Sequence, residues 1–488
     1  MPPDERRKLR QSHRRILTIP EEKTTIVLIT LVIYKLVLIG IGFWAHSRTR
    51  NEADFFLGGR GLGPLVAAIS YSSSASSAWT LLGLSGLAFV LGVSTIWIVI
   101  GSIIGMLVAW FWIAPRLMEY SRRNDQITLT EFLADDSEGP MRRNIVVSAS
   151  AIVIFCFTFY VAAQFQGAGN TFASTFDLSM TNSIVIGALI IMIYTLLGGF
   201  WAVSVTDTVQ GLLMAFTALA LPIAALIEIG GFSSFLAGLE AVSSPEQLSW
   251  TGNAAGLVAL GVVTGGLCVG FGTYGQPHLL VRFMALRDEN ALRQARWITL
   301  AWYLVVFLGM YFLGLAGHVL HQSIENSESI FFVLTDSLFP SLLGAILLAA
   351  VLSAIMSTAD SQLLVAASAI AHDLGHGRNH PKTIMLISRL TIVALVIISI
   401  LVALYLPATI FNRVLFAWIA LGSAFGPTVF MRLAGVRLRA SGVLLSILLG
   451  FTSAVTLYLM PNSAGDIAER ILPFTAGMLV LFLSRRSD

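Results

Sequence analysis

Charge is scarce in this sequence. Only 12% of its 488 residues are charged, 56% are hydrophobic, and the mean hydropathy is +0.81. A soluble domain carries roughly 25% charged residues, so a water-soluble globule is excluded and an integral membrane protein with little mass outside the bilayer remains. Cysteine is nearly absent. Cys156 and Cys268 both lie in apolar runs, which gives no disulfide framework and leaves packing as their role. Lysine is equally sparse: none of Lys8, Lys23, Lys35 and Lys382 follows a glycine, so there is no phosphate-binding loop and an ATP-driven pump has no support. HExxH, GxSxG and CxxC patterns are missing as well, which argues against an enzyme. Short alternating segments of the β-barrel kind do not occur, so the bundle is helical.

What the chain has in quantity is long apolar runs. Thirteen are counted, about residues 26–46, 63–90, 93–114, 145–170, 181–199, 204–229, 254–276, 296–320, 339–372, 383–405, 408–431, 438–460 and 468–484. The first is too long for a signal peptide, and no small-residue cleavage site follows it. Residues 1–25 form a basic tail and 26–488 a single transmembrane domain. Twenty cations fall in the odd-numbered loops and the C-terminus, and only Arg413 and Arg470 in the even ones. The positive-inside rule then places the odd loops and the C-terminus in the cytoplasm and the N-terminus outside. The tail runs against this count, with Arg6, Arg7, Lys8, Arg10, Arg14, Arg15 and Lys23 on the outer side.

Three stretches break the apolar pattern. In the ninth span, Ser357, Thr358, Asp360, Ser361 and Gln362 form a polar knot at membrane depth. A carboxylate there survives only with a partner or a water-filled cavity. Ala354, Ser357 and Thr358 share one helical face, and Ser357, Asp360 and Ser361 an overlapping one. Oxygen-rich faces of this kind suit a small, hard cation. The second span contains the serine run Ser70–Ser77, and serines compete with a helix for its backbone hydrogen bonds. The seventh holds five glycines between Gly265 and Gly275, followed by Pro277. The two interrupted spans are five apart. If the first span is an addition, they open two five-helix repeats, about 63–229 and 254–431. An odd repeat length inverts the second copy, and paired broken helices point to a transporter binding site.

Several segments resemble the sodium/solute symporter family, nearest its sodium/proline branch: Phe55–Pro64, Gly198–Asp207 with Gln210-Gly211, Gly275–His278, Arg282–Ala285 and Ala354–Leu364, in family order. The resemblance implies an all-α polytopic membrane protein of about 13 transmembrane helices with a LeuT-type five-plus-five inverted-repeat core. It implies a sodium-coupled symporter of the cytoplasmic membrane that imports a small organic solute, with proline or a related amino acid first. Its partners are that solute and the lipid bilayer, with no nucleic acid and no obligate protein partner. Carried over by position, the main sodium site comprises the carbonyls of Ser73, Ser76 and Ala354 and the hydroxyls of Ser357 and Thr358. A second sodium site would use Asp207, Ser357, Asp360 and Ser361.

The substrate positions are less well kept. Tyr160 and Pro277 match the proline branch, and Gln164 and Gln166 are candidate replacement contacts. Val269 stands where proline carriers have a tryptophan, Thr273 where they have a tyrosine, and Ala75 where they have an aspartate. A prolyl ring thereby loses a stacking wall and an amino group a counter-ion. A monocarboxylate or sugar-like solute, and proton coupling through Asp207 or Asp360, are the alternatives. A channel needs a continuous polar path, whereas polar residues here gather near the midplane and inner half.

Overall fold

The structure is a computed structural model that describes residues 21–46, 57–176, 178–197, 199–375, 381–406, 408–461 and 463–486. The basic tail before residue 21, and Phe55, Phe56 and Gly198 of the motif segments, lie outside the described residues. Ten of the described helices are long and apolar enough to cross a membrane by length and composition.

The chain starts with α1 (Glu21–His46), then α2 (Pro64–Ala78), a π-turn at Trp79–Leu84, and α3 (Ser85–Leu91). It returns as α4 (Ile96–Val108) and α5 (Ala114–Arg123). The reversal is made at Gly92, with φ 67 and ψ −139, a backbone that side chains rarely adopt. Arg60 just before α2 donates to the Ser121 carbonyl, so both ends of this 60-residue stretch meet at one face of the bundle. That face also holds Arg122, donating to the Arg287 carbonyl, and is called here the basic end.

A short α6 (Leu129–Leu133) precedes α7 (Gly139–Phe176), α8 (Met180–Leu197) and α9 (Phe200–Ile229). After α10 (Phe232–Val242) comes a second interrupted helix. It consists of α11 (Gly256–Cys268), a 3₁₀ stretch Val269–Gly275, and α12 (Pro277–Met284). The chain continues through α13 (Glu289–Leu320), α14 (Ile330–Leu338), α15 (Ser341–Ser368), α16 (Pro381–Tyr405), α17 (Ile410–Leu433), α18 (Ala440–Tyr458) and α19 (Ile467–Leu483).

Packing repeats between the halves. The first broken helix, α2, lies against α9, the fifth helix of its own half, and α13, the second of the other. The second lies against α17 and α4, the corresponding pair. The fold is therefore the LeuT-type core of two related five-helix units. Helix α15 is buried almost throughout from Ala349 to Ala369. A helix without a solvated face has no outlet for a polar side chain, so its serines and aspartate must find partners inside. Helix α1 is different: Val27, Leu31 and Leu38 pack inward, while Leu28, Val32, Leu36 and Val37 are exposed. It lies against α15 and α9, outside the repeats.

Candidate functional site

The serine run of α2 breaks where its composition weakens it. Ser77 leaves the helix at φ 47, ψ −167. The Ala78 N–H, deprived of a helical acceptor, donates to Gln164 Oε1 on α7 at 3.1 Å, and Gln164 Nε2 faces Ser77 Oγ at 3.4 Å. Gln164, expected as a substrate contact, is thus a cap on the break. Helix α15 meets the unwound turn. Thr358 Oγ1 is 3.0 Å from the Ser74 carbonyl and 3.1 Å from that of Ala354. Ser357 Oγ lies 3.2 Å from the Ala354 carbonyl, and Ser74 Oγ donates to the Ser357 carbonyl at 2.9 Å. Ala354, Ser357 and Thr358 are therefore together, joined by Ser74, which the sequence reading left out. Ser73 turns its hydroxyl to the Ser70 and Asp207 carbonyls, and the Ser76 hydroxyl is buried without a partner. Carbonyl and hydroxyl oxygens converging between two helices are donors of the kind that suit a hard cation.

Beside this lies a buried guanidinium. Arg282 on α12, 1% exposed, places Nη2 2.9 Å from Asp207 Oδ2, 2.8 Å from Ser74 Oγ and 2.7 Å from Ser361 Oγ. Its Nε donates to Ser70 Oγ at 2.8 Å, and its Nη1 to the His278 carbonyl. Asp207 Oδ2 also accepts from Ser70 at 2.7 Å. The sequence count puts Arg282 in a cytoplasmic loop, and the structure corrects this. The chain re-enters the bundle after Gln276, whose φ −82 and ψ 105 are extended, and α12 is wholly buried. Of the residues expected at a second ion site, Asp207 and Ser361 are brought together, with the guanidinium between them. Asp360 does not join them: Oδ1 accepts the Ser361 N–H at 2.7 Å, and Oδ2 is buried without a partner.

The second break exposes backbone that α17 covers. Trp418 Nε1 donates to the Val269 carbonyl at 3.1 Å, and Gln276 Nε2 to the carbonyls of Gly272 and Trp418 at 2.9 and 3.1 Å. Gly272 is required there, because a Cβ would overlap the Trp418 indole. The tryptophan missing at Val269 is thus answered by one arriving from another helix, a residue that sequence reasoning missed. Trp418 stands edge-on to Tyr160, 6.4 Å between ring centroids, and the Tyr160 hydroxyl is buried beside Ser77. Val269, Trp79, Phe411 and Trp418 line a crevice of about 10 Å³ away from the basic end. Pro277 instead lines a cavity of about 30 Å³ with Thr128, Phe200, Arg282, Ser361 and Asp373, towards the basic end. Thr273 is buried in the 3₁₀ stretch, and Gln166 accepts from Arg413. Val269 and Pro277, both expected at the substrate, therefore line two separate cavities.

A family profile described as the sodium:solute symporter family matches residues 55–450. The chain belongs to the sodium:solute symporter family. Relatives include the osmoregulated proline transporter OpuE of Bacillus subtilis, 34% identical over 94% of this chain and 95% of that protein. The sodium/proline symporter 2 of Staphylococcus saprophyticus is 34% identical over 86% of this chain and 84% of its own. Among solved structures, a Na+-coupled sialic acid symporter superposes with a TM-score of 0.78 at 18% identity, covering 95% of this chain and 99% of that one. MhsT in complex with L-phenylalanine gives 0.56 at 14% identity, covering 86% and 98%. The chain is accordingly a multi-pass membrane carrier and not an enzyme, and sodium is its co-transported ion.

At the basic end, α6 is tied to the π-turn Ala369–Asp373 that follows α15. Thr128 caps α6 with a reciprocal Thr128–Glu131 box. Glu131 Oε1 is 3.0 Å from His372 Nε2, and Thr128 Oγ1 donates to Asp373 Oδ1 at 2.8 Å. Burial pushes the Glu131 carboxyl up, but hydrogen bonds from His372 and the Ile127 and Thr128 N–H groups outweigh it and hold the group below the usual carboxylate range. A depressed carboxylate contributes stability above its unfolded value, and that contribution is lost as pH falls through the folded one. Glu131→Gln is expected to cost about 1–2 kcal/mol at neutral pH and nothing in acid, measured as thermal unfolding of the purified protein against pH.

Proposed function

We propose that the chain imports proline, or a closely related amino acid, together with sodium bound between the break of α2 and helix α15. One observation carries the ion site: the Thr358 hydroxyl lies within hydrogen-bonding distance of the Ser74 carbonyl on the broken helix and the Ala354 carbonyl on its own. Sodium entering there is held by the Ala354 carbonyl, the hydroxyls of Ser357 and Thr358, and carbonyls of the unwound turn from Ser73 to Ser76. It ties α2 to α15. The solute lies beside it, against Tyr160 and the Trp418 indole, with Val269 and Thr273 on one side and Pro277 on the other. A ligand drives alternation only through unequal affinity for the two states. Losing sodium on the inner side slackens the tie and releases the solute.

In this reading residues 26–488 are one transmembrane unit in the cytoplasmic membrane. The basic end faces the cytoplasm by the positive-inside rule, and the N-terminus lies outside. Support for proline comes from the two relatives named for it, and from Trp418, which gives a pyrrolidine ring an aromatic wall that Val269 does not. The test is uptake into proteoliposomes across a panel of radiolabelled solutes, with imposed sodium and pH gradients. Sodium-dependent accumulation of proline above the other amino acids, monocarboxylates and sugars is expected. Accumulation that follows only the pH gradient would replace sodium coupling with proton coupling, and accumulation of a different solute would overturn proline.

A further inference from the structure

The outer surface of the basic end carries two arginines that no acid answers. Between α4 and α5 the chain makes a π-turn, Ala109–Ile113. There the Ala114 N–H bonds the Ala109 carbonyl, five residues back, instead of that of Trp110. Residue 115, which would take the Trp110 carbonyl in the same register, is a proline and has no N–H. The Trp110 carbonyl is thus left without a helical donor, and Arg296 of α13 supplies one, its Nε at 3.0 Å. The Arg296 guanidinium lies over the Phe111 ring, 5.1 Å from the centroid. Phe111 in turn meets Trp297 edge-to-face at 5.6 Å, and both rings are exposed. With Nε anchored, the two Nη groups of Arg296 have no acceptor among the described residues. Arg293, exposed, stands three residues earlier on the same face of α13. Neither arginine has an ion-pair partner among the described residues. Asp288 is held by Arg287 at 2.8 Å and Glu119 by Arg123 at 2.7 Å, while Glu289, in the first turn of α13, pairs with neither arginine.

We propose that Arg293 and Arg296 hold the phosphate of an anionic phospholipid, with Trp297 and Phe111 against its glycerol backbone and the tops of its acyl chains. Like charges three residues apart on a helix repel. An oxyanion between them turns that repulsion into two charge-assisted contacts, and the planar fork of a guanidinium matches a phosphate. An exposed tryptophan near the end of an apolar helix belongs at headgroup level. Arg296 lies seven residues beyond Glu289, the first residue of α13, a rise of about 10 Å. Basic clefts between membrane helices on the cytoplasmic side bind acidic headgroups. Two cations against one phosphate leave a positive remainder, which opposes the cation of a choline or ethanolamine headgroup. The occupant is therefore a lipid of net negative charge, such as phosphatidylglycerol. Because α4 and α13 are the second helices of the two repeats, the lipid joins the halves from outside the bundle.

The test needs neither solute nor sodium, so its failure leaves the symporter reading standing. Full-length wild type, R293Q, R293Q/R296Q and R439Q are purified in detergent; Arg439 is an exposed arginine of the basic end outside the site. Each is titrated with phosphatidylglycerol or with phosphatidylcholine of matched chains, and bound lipid is counted by native mass spectrometry. Wild type and R439Q are expected to keep one phosphatidylglycerol under activation that strips phosphatidylcholine. Apparent affinity is expected to fall about fivefold in R293Q and at least about tenfold in R293Q/R296Q. A large excess of glycerol 1-phosphate is expected to displace none of the lipid, since the chains contribute to binding. Equal retention of the two lipids, arginine variants that bind as wild type does, or a matching loss in R439Q would each overturn the proposal, the last by showing diffuse charge rather than a site. Displacement by glycerol 1-phosphate would make this a site for free phosphate and overturn the lipid. Should the double variant fail to fold for want of the Trp110 anchor, R293Q, which leaves that anchor in place, decides alone.

Discussion

Replacing Arg282 by glutamine is expected to reduce sodium-driven uptake at least about a hundredfold, because removing one member of a buried ion pair costs about 3–5 kcal/mol. The guanidinium binds groups from three other helices at once: Ser70 and Ser74 on α2, Asp207 on α9 and Ser361 on α15. Its removal strands a carboxylate that is 0% exposed. Arg282→Lys is expected to rescue little, since an ammonium has three donors on one point, whereas Arg282 uses Nε, Nη1 and Nη2 in three directions. The pair Asp207→Asn/Arg282→Gln is expected to recover thermal stability more than uptake, because it removes the stranded charge without restoring the tie between helices. Initial uptake rates in proteoliposomes, normalised to inserted protein, decide the matter. Wild-type uptake by Arg282→Gln would remove the pair from the working core.

Thr358→Ala is expected to raise the sodium concentration for half-maximal uptake by roughly ten- to a hundredfold, the worth of about 1.5–3 kcal/mol for a hydroxyl acting on an ion. The maximal rate at saturating sodium should fall much less. The hydroxyl also bridges the helix interface to the Ser74 carbonyl, so Thr358→Ser should behave almost as wild type. Titrating uptake against sodium at fixed ionic strength reads this directly. An unshifted sodium dependence in Thr358→Ala would take the residue out of the ion site.

These two positions also mark what a sequence can say about a buried site. Thr358 is legible because helical periodicity puts it on one face with Ala354, and because a serine run in an apolar span signals where α2 comes apart. The break falls at Ser77 for that reason. The partner across the interface is not legible: which carbonyl of an unwound turn faces α15 depends on the path of the backbone after helicity is lost, and Ser74 is the one that meets Thr358. Arg282 is misplaced for a related reason. The glycines and proline read as an interruption, but the apolar run ends by count at 276, whereas the chain resumes as α12. Eight buried residues, Pro277–Met284, with one arginine among them, are the trace of that re-entry. Trp418 leaves no trace at all. Its importance comes from a glycine on another helix, and an absent side chain at Gly272 does not say which neighbour fills the space. The halves themselves, by contrast, are readable from hydropathy and the spacing of the two breaks.

The cap that Gln164 places on Ala78 has a consequence for the energetics of coupling. A helix that had to come apart whenever sodium arrived would spend binding energy on unwinding, and affinity would depend on how stable the intact helix was. Here the severed N–H is already satisfied at 3.1 Å by a side chain anchored in α7, so the kink is a permanent part of the fold and its carbonyls are aimed beforehand. Such preorganisation lets nearly all of the ion's interaction energy appear as affinity. The hydrogen bonds of Ser74 and Thr358 join α2 to α15 beside that kink. Bound at the proposed site, sodium would act as a spacer that sets how closely α2 and α15 approach.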